Sequence, residues 1–326
     1  MDRPIESSFR VQNQPVPQAT PALDYEIYSL GHKLEQSPDR FGWLRRSDDA
    51  AGDFTELRHR LSEDGYLYLP GFFDRSEVLD VRRSVLAQLA EMGFLKQGGV
   101  VEDGVFDPGN PPPAQARAHP LDQRDPAVQR LLFGDATMDF YAGFFGVEAA
   151  HFDFTWFRTK GTGHGSDVHC DVVYMGRGSK KLLTMWTPLG DIDPRMGGLT
   201  ILEGSHRKSD LLTGYLDRDV DEYCSNREDA SAYAAGEKGW NGSLSKNPLA
   251  IQNKFQARWL TSPEFRMGDV LLFGMTMVHG SLDNQTGLIR LSVDNRYQPA
   301  NEPIDPRWVG ETVVGHSPAA KVGMIC

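Results

Sequence analysis

Six strand-like runs limit what this chain can fold into more than any other feature. They are Ala150–Arg158, Val168–Met175, Leu182–Ile192, Leu199–Leu202, Val270–Val278 and Leu288–Tyr297. Each is apolar or alternating, and Gly, Pro, Asp and Ser turns separate them. A doubly wound fold needs a helix between successive strands. These runs lack that interleaving, so the pattern predicts a mainly β fold, an antiparallel sandwich or jelly roll.

Helices are expected outside the strand series. Asp74-Arg75-Ser76-Glu77 reads as a helix start, with Asp74 as N-cap and Glu77 reaching back. Val78, Val81, Val85, Leu86 and Leu89 then recur at helical spacing, which puts that helix on the outside of the sheet. A second helix is expected from about Pro126 to Phe145, its aromatics Phe140, Tyr141, Phe144 and Phe145 serving the core. Residues 1–22 read as a flexible tail and 23–326 as one domain, with the jelly-roll core over about 150–300. A charged insertion spans about 210–258, and a Pro-rich loop lies within 101–125. Either segment is a candidate cover for a site.

The residues that point to chemistry lie on these strands. In extended backbone, positions two apart share a face, so His169 and Asp171 project together while Cys170 turns away. His279 ends the apolar run from Asp269. Two imidazoles and one carboxylate on one side of an iron leave the other positions for small molecules. Taken alone, His-x-Asp is a short pair that surfaces carry by chance. Arg290 lies in Leu288–Asp294, which alternates so that Arg290, Ser292 and Asp294 share a face. That face is either solvent-exposed or the wall of a pocket in which Arg290 grips a carboxylate with its planar fork.

Four stretches, in order, resemble the phytanoyl-CoA dioxygenase family of iron(II)- and 2-oxoglutarate-dependent oxygenases. They are Asp64–Phe73; Val168-His169-Cys170-Asp171 leading to Met185–Leu189; Gly197–His206; and Gly268-Asp269-Val270 through His279-Gly280-Ser281 to Arg290. In the third, Glu203 stands where the family has Pro. The resemblance covers roughly residues 55–300. It implies a double-stranded β-helix, a cupin-like jelly roll with flanking α-helices and the metal in its open end. It implies iron ligands His169, Asp171 and His279. It implies that Arg290 and Ser281 hold the far carboxylate of 2-oxoglutarate, with Trp186 bordering the co-substrate. The implied reaction uses iron(II), 2-oxoglutarate and O2, and hydroxylates or desaturates a small organic substrate with release of succinate and CO2.

Two other classes share these residues. One is a differently reacting enzyme on the same scaffold, such as a cyclase or epimerase. Halogenation is disfavoured, because chloride usually takes the place of the carboxylate and Asp171 is present. The other is a non-catalytic metal-binding protein that kept the fold.

Composition narrows the partners. The chain has 326 residues, 40% hydrophobic and 24% charged, with a net charge of −11. This acidity and the lack of a basic run argue against a nucleic-acid or anionic-membrane surface; a small-molecule substrate is what the resemblance implies. No apolar segment reaches membrane-spanning length, and Met1–Glu6 lacks a secretory pattern. Cys170, Cys224 and Cys326 are too few and scattered for a disulfide framework, so a reducing cytoplasm is expected.

Several residues have a plain reading beside a functional one. Trp186 suits core packing as well as a co-substrate border. Arg158 and Lys160 read as exposed strand-end charges, His164 as a loop residue, and His206 as a turn residue. Arg296 shares parity with Arg290 and stands either at the pocket rim or in a structural salt bridge.

Overall fold

In the computed structural model, residues 23–110 and 121–326 are described. The expectations for residues 1–22 and for Pro111-Pro112-Pro113-Ala114 lie outside them. The described chain opens with the hairpin β1 (Tyr28–Ser29) and β2 (His32–Lys33), then β3 (Phe41–Trp43). Helix α1 (Phe54–Asp64) starts at Asp53, whose carboxylate accepts from the Thr55 and Glu56 amides. It ends at Gly65, φ +79°, where a Cβ would strike His206 and Met277. Strand β4 (Tyr66–Leu69) follows directly. Helix α2 (Arg75–Glu91) has the predicted N-cap Asp74, although the capping contact runs to Ser76 rather than Glu77.

The helix expected over 126–145 is two helices, α3 (Pro126–Phe133) and α4 (Asp135–Phe145). Gly134 divides them with extended backbone, ending one helix and capping the next. The apolar faces of α2, α3 and α4 pack together with the outer face of a sheet in one core, including Val81, Leu86, Leu132, Phe140, Met185 and Val293.

The remaining elements are β5 (Ala149–His151), β6 (Trp156–Lys160), α5 (Val172–Met175), β7 (Leu183–Pro188), β8 (Leu199–Leu202), β9 (Glu222–Cys224), α6 (Ala230–Ala234), α7 (Pro248–Phe255), β10 (Trp259–Thr261), β11 (Val270–Gly274), β12 (His279–Ser281), β13 (Arg290–Pro299) and β14 (Val322–Met324). A six-stranded antiparallel sheet runs β4-β11-β7-β13-β5, with β6 also paired to β13. A four-stranded sheet runs β12-β8-β10-β3, its β10–β3 pair parallel. Leu199, Ile201 and Leu260 of the smaller sheet share one core with Tyr68, Trp186, Leu271 and Phe273 of the larger, so the two sheets face each other. The architecture is mainly β with flanking helices.

Four strand expectations were too long. Ala150–Arg158 is divided into β5 and β6, and Leu182–Ile192 ends as β7 at Pro188. Val168–Met175 is not one strand: Val168 and His169 make only isolated bridges, and the chain then turns into α5. The cause is Asp171, whose helical backbone (φ −68°, ψ −23°) lets its carbonyl accept from the Tyr174 and Met175 amides. Val270–Val278 stops at Gly274, where a turn precedes β12.

The cysteine expectation is corrected. Cys224 and Cys326 form a disulfide across 102 positions, their Cα atoms 5.5 Å apart, while Cys170 is free and buried. Two cysteines this distant in sequence gave no spacing signal. They meet because β14 lies parallel to β9. Among the described residues, no helix is long and apolar enough to cross a membrane.

Candidate active site

His169 and His279 sit directly opposite each other. Each backbone amide donates to the other's carbonyl at 3.0 Å, so the two Cβ atoms leave one face together. The ring centroids are 4.2 Å apart. The turn at Asp171 that ends the strand brings its carboxylate back between them. Asp171 Oδ1 is 3.7 Å from Nε2 of His169 and 3.7 Å from Nε2 of His279. One ligand atom from each residue lies within 4.8 Å of the other two.

The imidazoles are held with Nε2 inward. His169 Nδ1 donates to the Asp167 carbonyl at 2.7 Å, and His279 Nδ1 to the Met277 carbonyl at 3.0 Å. An Nδ1–H committed to a carbonyl leaves Nε2 as a lone pair, the form a metal takes. Burial, together with the neighbouring His279, pushes His169 down to about 3, and burial lowers His279 as well. Burial alone would raise Asp171, but Arg296, His279 and His169 hold it well below the ordinary carboxylate range. Two neutral imidazoles and a carboxylate anion are a fitting donor set for iron(II), so these residues would hold it.

Asp171 is itself anchored. Its Oδ2 accepts from Arg296 at 3.0 Å and from the Thr184 hydroxyl. Arg296 also binds Asp294 at 2.6 Å, and Arg158 grips Asp294 with two bonds of 2.9 and 3.0 Å. Strand parity explains the array. Arg290, Ser292, Asp294 and Arg296 alternate along β13, opposite Lys160, Arg158 and Trp156 on β6 and Trp186 and Thr184 on β7.

All of these side chains except Ser292 line a cavity of about 840 Å³. Arg290 is buried at its inner wall, where Nε donates to the Gly197 carbonyl at 3.0 Å and one Nη to Ser292 Oγ at 2.8 Å. Burial, with Arg158 nearby, pushes it down to about 10. Trp186 stands beside it, 5.9 Å from ring centre to guanidinium, and donates to Ser292 at 2.9 Å. The Ser281 hydroxyl is turned to Ser166, accepting from its amide at 2.7 Å. Ser166 lines the cavity there.

The structure thus brings together His169, Asp171 and His279, and puts Arg290 and Trp186 on the same wall. Arg158 and Lys160 are not exposed strand-end charges: both line the cavity, and Lys160 is 8% exposed. The alternation Trp156, Arg158, Lys160 was the available signal. Arg296 both lines the cavity and forms a salt bridge, tied to the Asp171 carboxylate. His164 lies beside Asp283, 3.5 Å away, and His206 near the Ser62 carbonyl, both away from the ligand cluster. Val220, Asp221, Trp240 and Asn241 of the insertion reach the cavity, as do Leu121 and Gln123.

A cover from the C-terminal segment had no sequence signal. Trp308, Val313, Val314, His316 and Lys321 line the outer cavity. The segment is held by buried Asp221, which accepts from Arg307 at 2.6 Å, His316 at 2.7 Å and Lys321 at 2.8 Å.

Residues 61–292 match the phytanoyl-CoA dioxygenase (PhyH) family. No curated protein matches. Among solved structures, EctD from S. alaskensis is similar at 18% identity and a TM-score of 0.53, covering 87% of this chain and 89% of that one. The α-ketoglutarate-dependent carbocyclase SnoK from nogalamycin biosynthesis is similar at 16% identity and 0.52, covering 78% and 88%. The α-ketoglutarate-dependent epimerase SnoN from the same biosynthesis is similar at 17% and 0.50, covering 78% and 86%. These likenesses concern the fold.

Proposed function

Because the chain belongs to the phytanoyl-CoA dioxygenase family and is a 2-oxoglutarate-dependent dioxygenase working with iron(II) and O2, we propose that it hydroxylates or desaturates a small organic substrate within the 840 Å³ cavity. The observation that carries this reading is the convergence of two inward Nε2 atoms and Asp171 Oδ1. Iron(II) with 2-oxoglutarate and O2 supplies the oxidation of a substrate C–H bond, with release of succinate and CO2.

The residues have separate tasks. His169, Asp171 and His279 hold the metal. Arg296 and Thr184 fix the carboxylate so that Oδ1 faces the imidazoles. Arg290 takes the far carboxylate of 2-oxoglutarate, its guanidinium already oriented by Gly197 and Ser292. Trp186 borders the co-substrate, and Ser281 supports that end through Ser166. The C-terminal segment and the insertion shield the chamber from water. The two facing sheets form a double-stranded β-helix, and residues 23–326 act as one domain. The acidic charge fits a free small-molecule substrate and neither a nucleic acid nor a membrane surface.

The test is incubation with iron(II), 2-oxoglutarate and a broad metabolite panel. Succinate is quantified and products are weighed by mass spectrometry under labelled oxygen. Gain of one oxygen marks hydroxylation and loss of two hydrogens marks desaturation or ring closure. An unchanged mass with succinate release marks epimerisation. No succinate with any substrate would favour the non-catalytic protein.

A further inference from the structure

An unbroken run of rings is built into the cavity wall. From the metal ligand His169 the ring centroids step to Tyr174 at 5.5 Å, His316 at 5.9 Å, Trp308 at 4.8 Å, Trp156 at 4.7 Å and Phe154 at 4.8 Å. Every one of these residues lines the cavity. Rings packed only on one another would belong to a core. Phe154 and Tyr174 are half-buried and so keep ring surface for a further partner.

The run is assembled from distant parts of the chain. Phe154 precedes β6 and Trp156 opens it, Tyr174 lies on α5, and Trp308 and His316 come from the C-terminal segment. The last two lie beyond residues 61–292, so the wall is completed by chain that the family match does not cover. Trp308 is held in place. Its carbonyl accepts from the Asp153 amide at 2.9 Å, and the neighbouring Arg307 is bound by Asp221 and Asp305 at 2.6 Å each.

The polar groups beside the run limit what fits against it. Trp308 is 2% exposed, and among the described residues its Nε1–H has no acceptor. A buried donor left without a partner is costly, so a ligand oxygen is favoured there. The ionised groups near the run are already taken. Asp221 accepts from His316 at 2.7 Å and Lys321 at 2.8 Å, Asp294 is gripped by Arg158 and Arg296, and Asp167 accepts from Asn241 at 3.1 Å. Among the described residues the Lys160 ammonium pairs with no acid, but it stands across the strand pair from Arg290, at the co-substrate end of β6. A charged substrate would lose its hydration at the run and find no counter-charge there.

We propose that this run is the substrate subsite, and that it takes an uncharged molecule built on a flat aromatic ring with an oxygen acceptor beside the ring. This rests on the oxidation proposed above, whose substrate class it supplies. The ring lies among Tyr174, Trp156 and Trp308 in stacked or edge contacts, and the Trp308 Nε1–H donates to the oxygen. His169 at the end of the run places the metal next to that ring. Cavities for one small ligand are on the order of 300–1,000 Å³. The 840 Å³ here lies toward the large end, as a chamber holding a ring beside 2-oxoglutarate needs. Trp308 and Phe154 determine specificity and take no part in holding the metal or the co-substrate.

The test is calorimetric titration of coumarin, an uncharged bicyclic lactone, into the full chain loaded with manganese(II) and 2-oxoglutarate. The comparisons are octahydrocoumarin, its saturated counterpart with the same carbonyl, and coumarin-3-carboxylate, its anionic counterpart. The unmodified protein should bind coumarin, and each counterpart roughly tenfold more weakly. Trp308→Leu should weaken coumarin binding roughly tenfold and narrow the preference over octahydrocoumarin. Trp308→Phe should keep that preference and lose roughly fivefold in affinity, because the ring stays and the donor goes. Phe154→Leu should narrow the preference as well, and it covers the case in which Trp308→Leu does not fold. The affinity for 2-oxoglutarate should be unchanged in all three variants. No coumarin binding, equal affinity for coumarin and octahydrocoumarin, tighter binding of the carboxylate, or an unchanged preference in the two leucine variants would overturn the inference. Failure of 2-oxoglutarate to bind the unmodified protein would instead overturn the proposed oxidation.

Discussion

Arg296 donates to Asp171 Oδ2 at 3.0 Å, which leaves Oδ1 of the same carboxylate 3.7 Å from both imidazole Nε2 atoms. One oxygen is thus committed to the protein and the other is aimed at the metal position. Asp294 holds Arg296 in turn at 2.6 Å, and the guanidinium lies 4.2 Å from the centre of the Trp156 ring. The metal site is therefore the end of a chain of charges running along β13.

Arg296→Met should loosen that carboxylate without removing a ligand. Iron affinity is expected to fall roughly tenfold to hundredfold, the usual effect of losing a partner behind a metal ligand. A competitive metal titration measures it. Unchanged affinity in a folded variant would show that Thr184 alone orients Asp171.

Asp171→Ala should remove iron binding and succinate release together, since it deletes the one anionic ligand of the cluster. With Asp171 intact, the unmodified protein supplied with chloride should give no chlorinated product. Metal analysis reads the first outcome and product mass the second.

Arg290→Ala should weaken 2-oxoglutarate binding by about 2–4 kcal/mol while iron binding survives, because a buried carboxylate loses its charged partner. Spectroscopic titration of the iron-loaded protein separates the two affinities. Equal weakening of both would mean that Arg290 supports the site structurally instead.

Lys160 predicts a stability trend in the protein without co-substrate. Its folded value of about 7 lies below that of a free lysine. Between about pH 7 and about pH 10 the unfolded chain holds more of this proton than the folded one, so its contribution to stability rises with pH there. Lys160→Met removes the buried charge. Its melting temperature relative to the unmodified protein should therefore be higher at neutral pH than near pH 10. A constant offset across that range would contradict the buried, unpaired ammonium.

Cys326→Ser should cost about 2–4 kcal/mol of stability, because the Cys224–Cys326 bond closes a long loop. Unfolding with and without reductant measures it. Reductant should lower the stability of the unmodified protein and leave the variant unaffected. Reduction should also free β14 from β9 before the core unfolds, visible as early amide exchange in Val322–Met324.

The strand series, the α2 cap at Asp74 and the ligand types at His169, Asp171 and His279 were legible in the sequence, because period and residue chemistry are local properties. The division at Gly134 and the end of β11 at Gly274 were less so. Both are single glycines inside apolar runs, and periodicity cannot say which of them interrupts an element.

What the sequence determined was a two-period set of apolar faces and the identity of the groups on the polar ones. What only the tertiary structure decided was which charges meet. Lys160 and Arg290 are 130 positions apart by number and become neighbours through the β6–β13 register. Asp171 returns to the imidazoles through a helical turn inside an expected strand. Arg158, Lys160 and Arg296 look alike in sequence, since a strand's parity gives a face but not whether that face is covered. The cover comes from the C-terminal segment, whose end at β14 is joined to β9 across about a hundred residues. Burial is a property of such distant contacts, and burial turns these surface-like charges into the wall of a site.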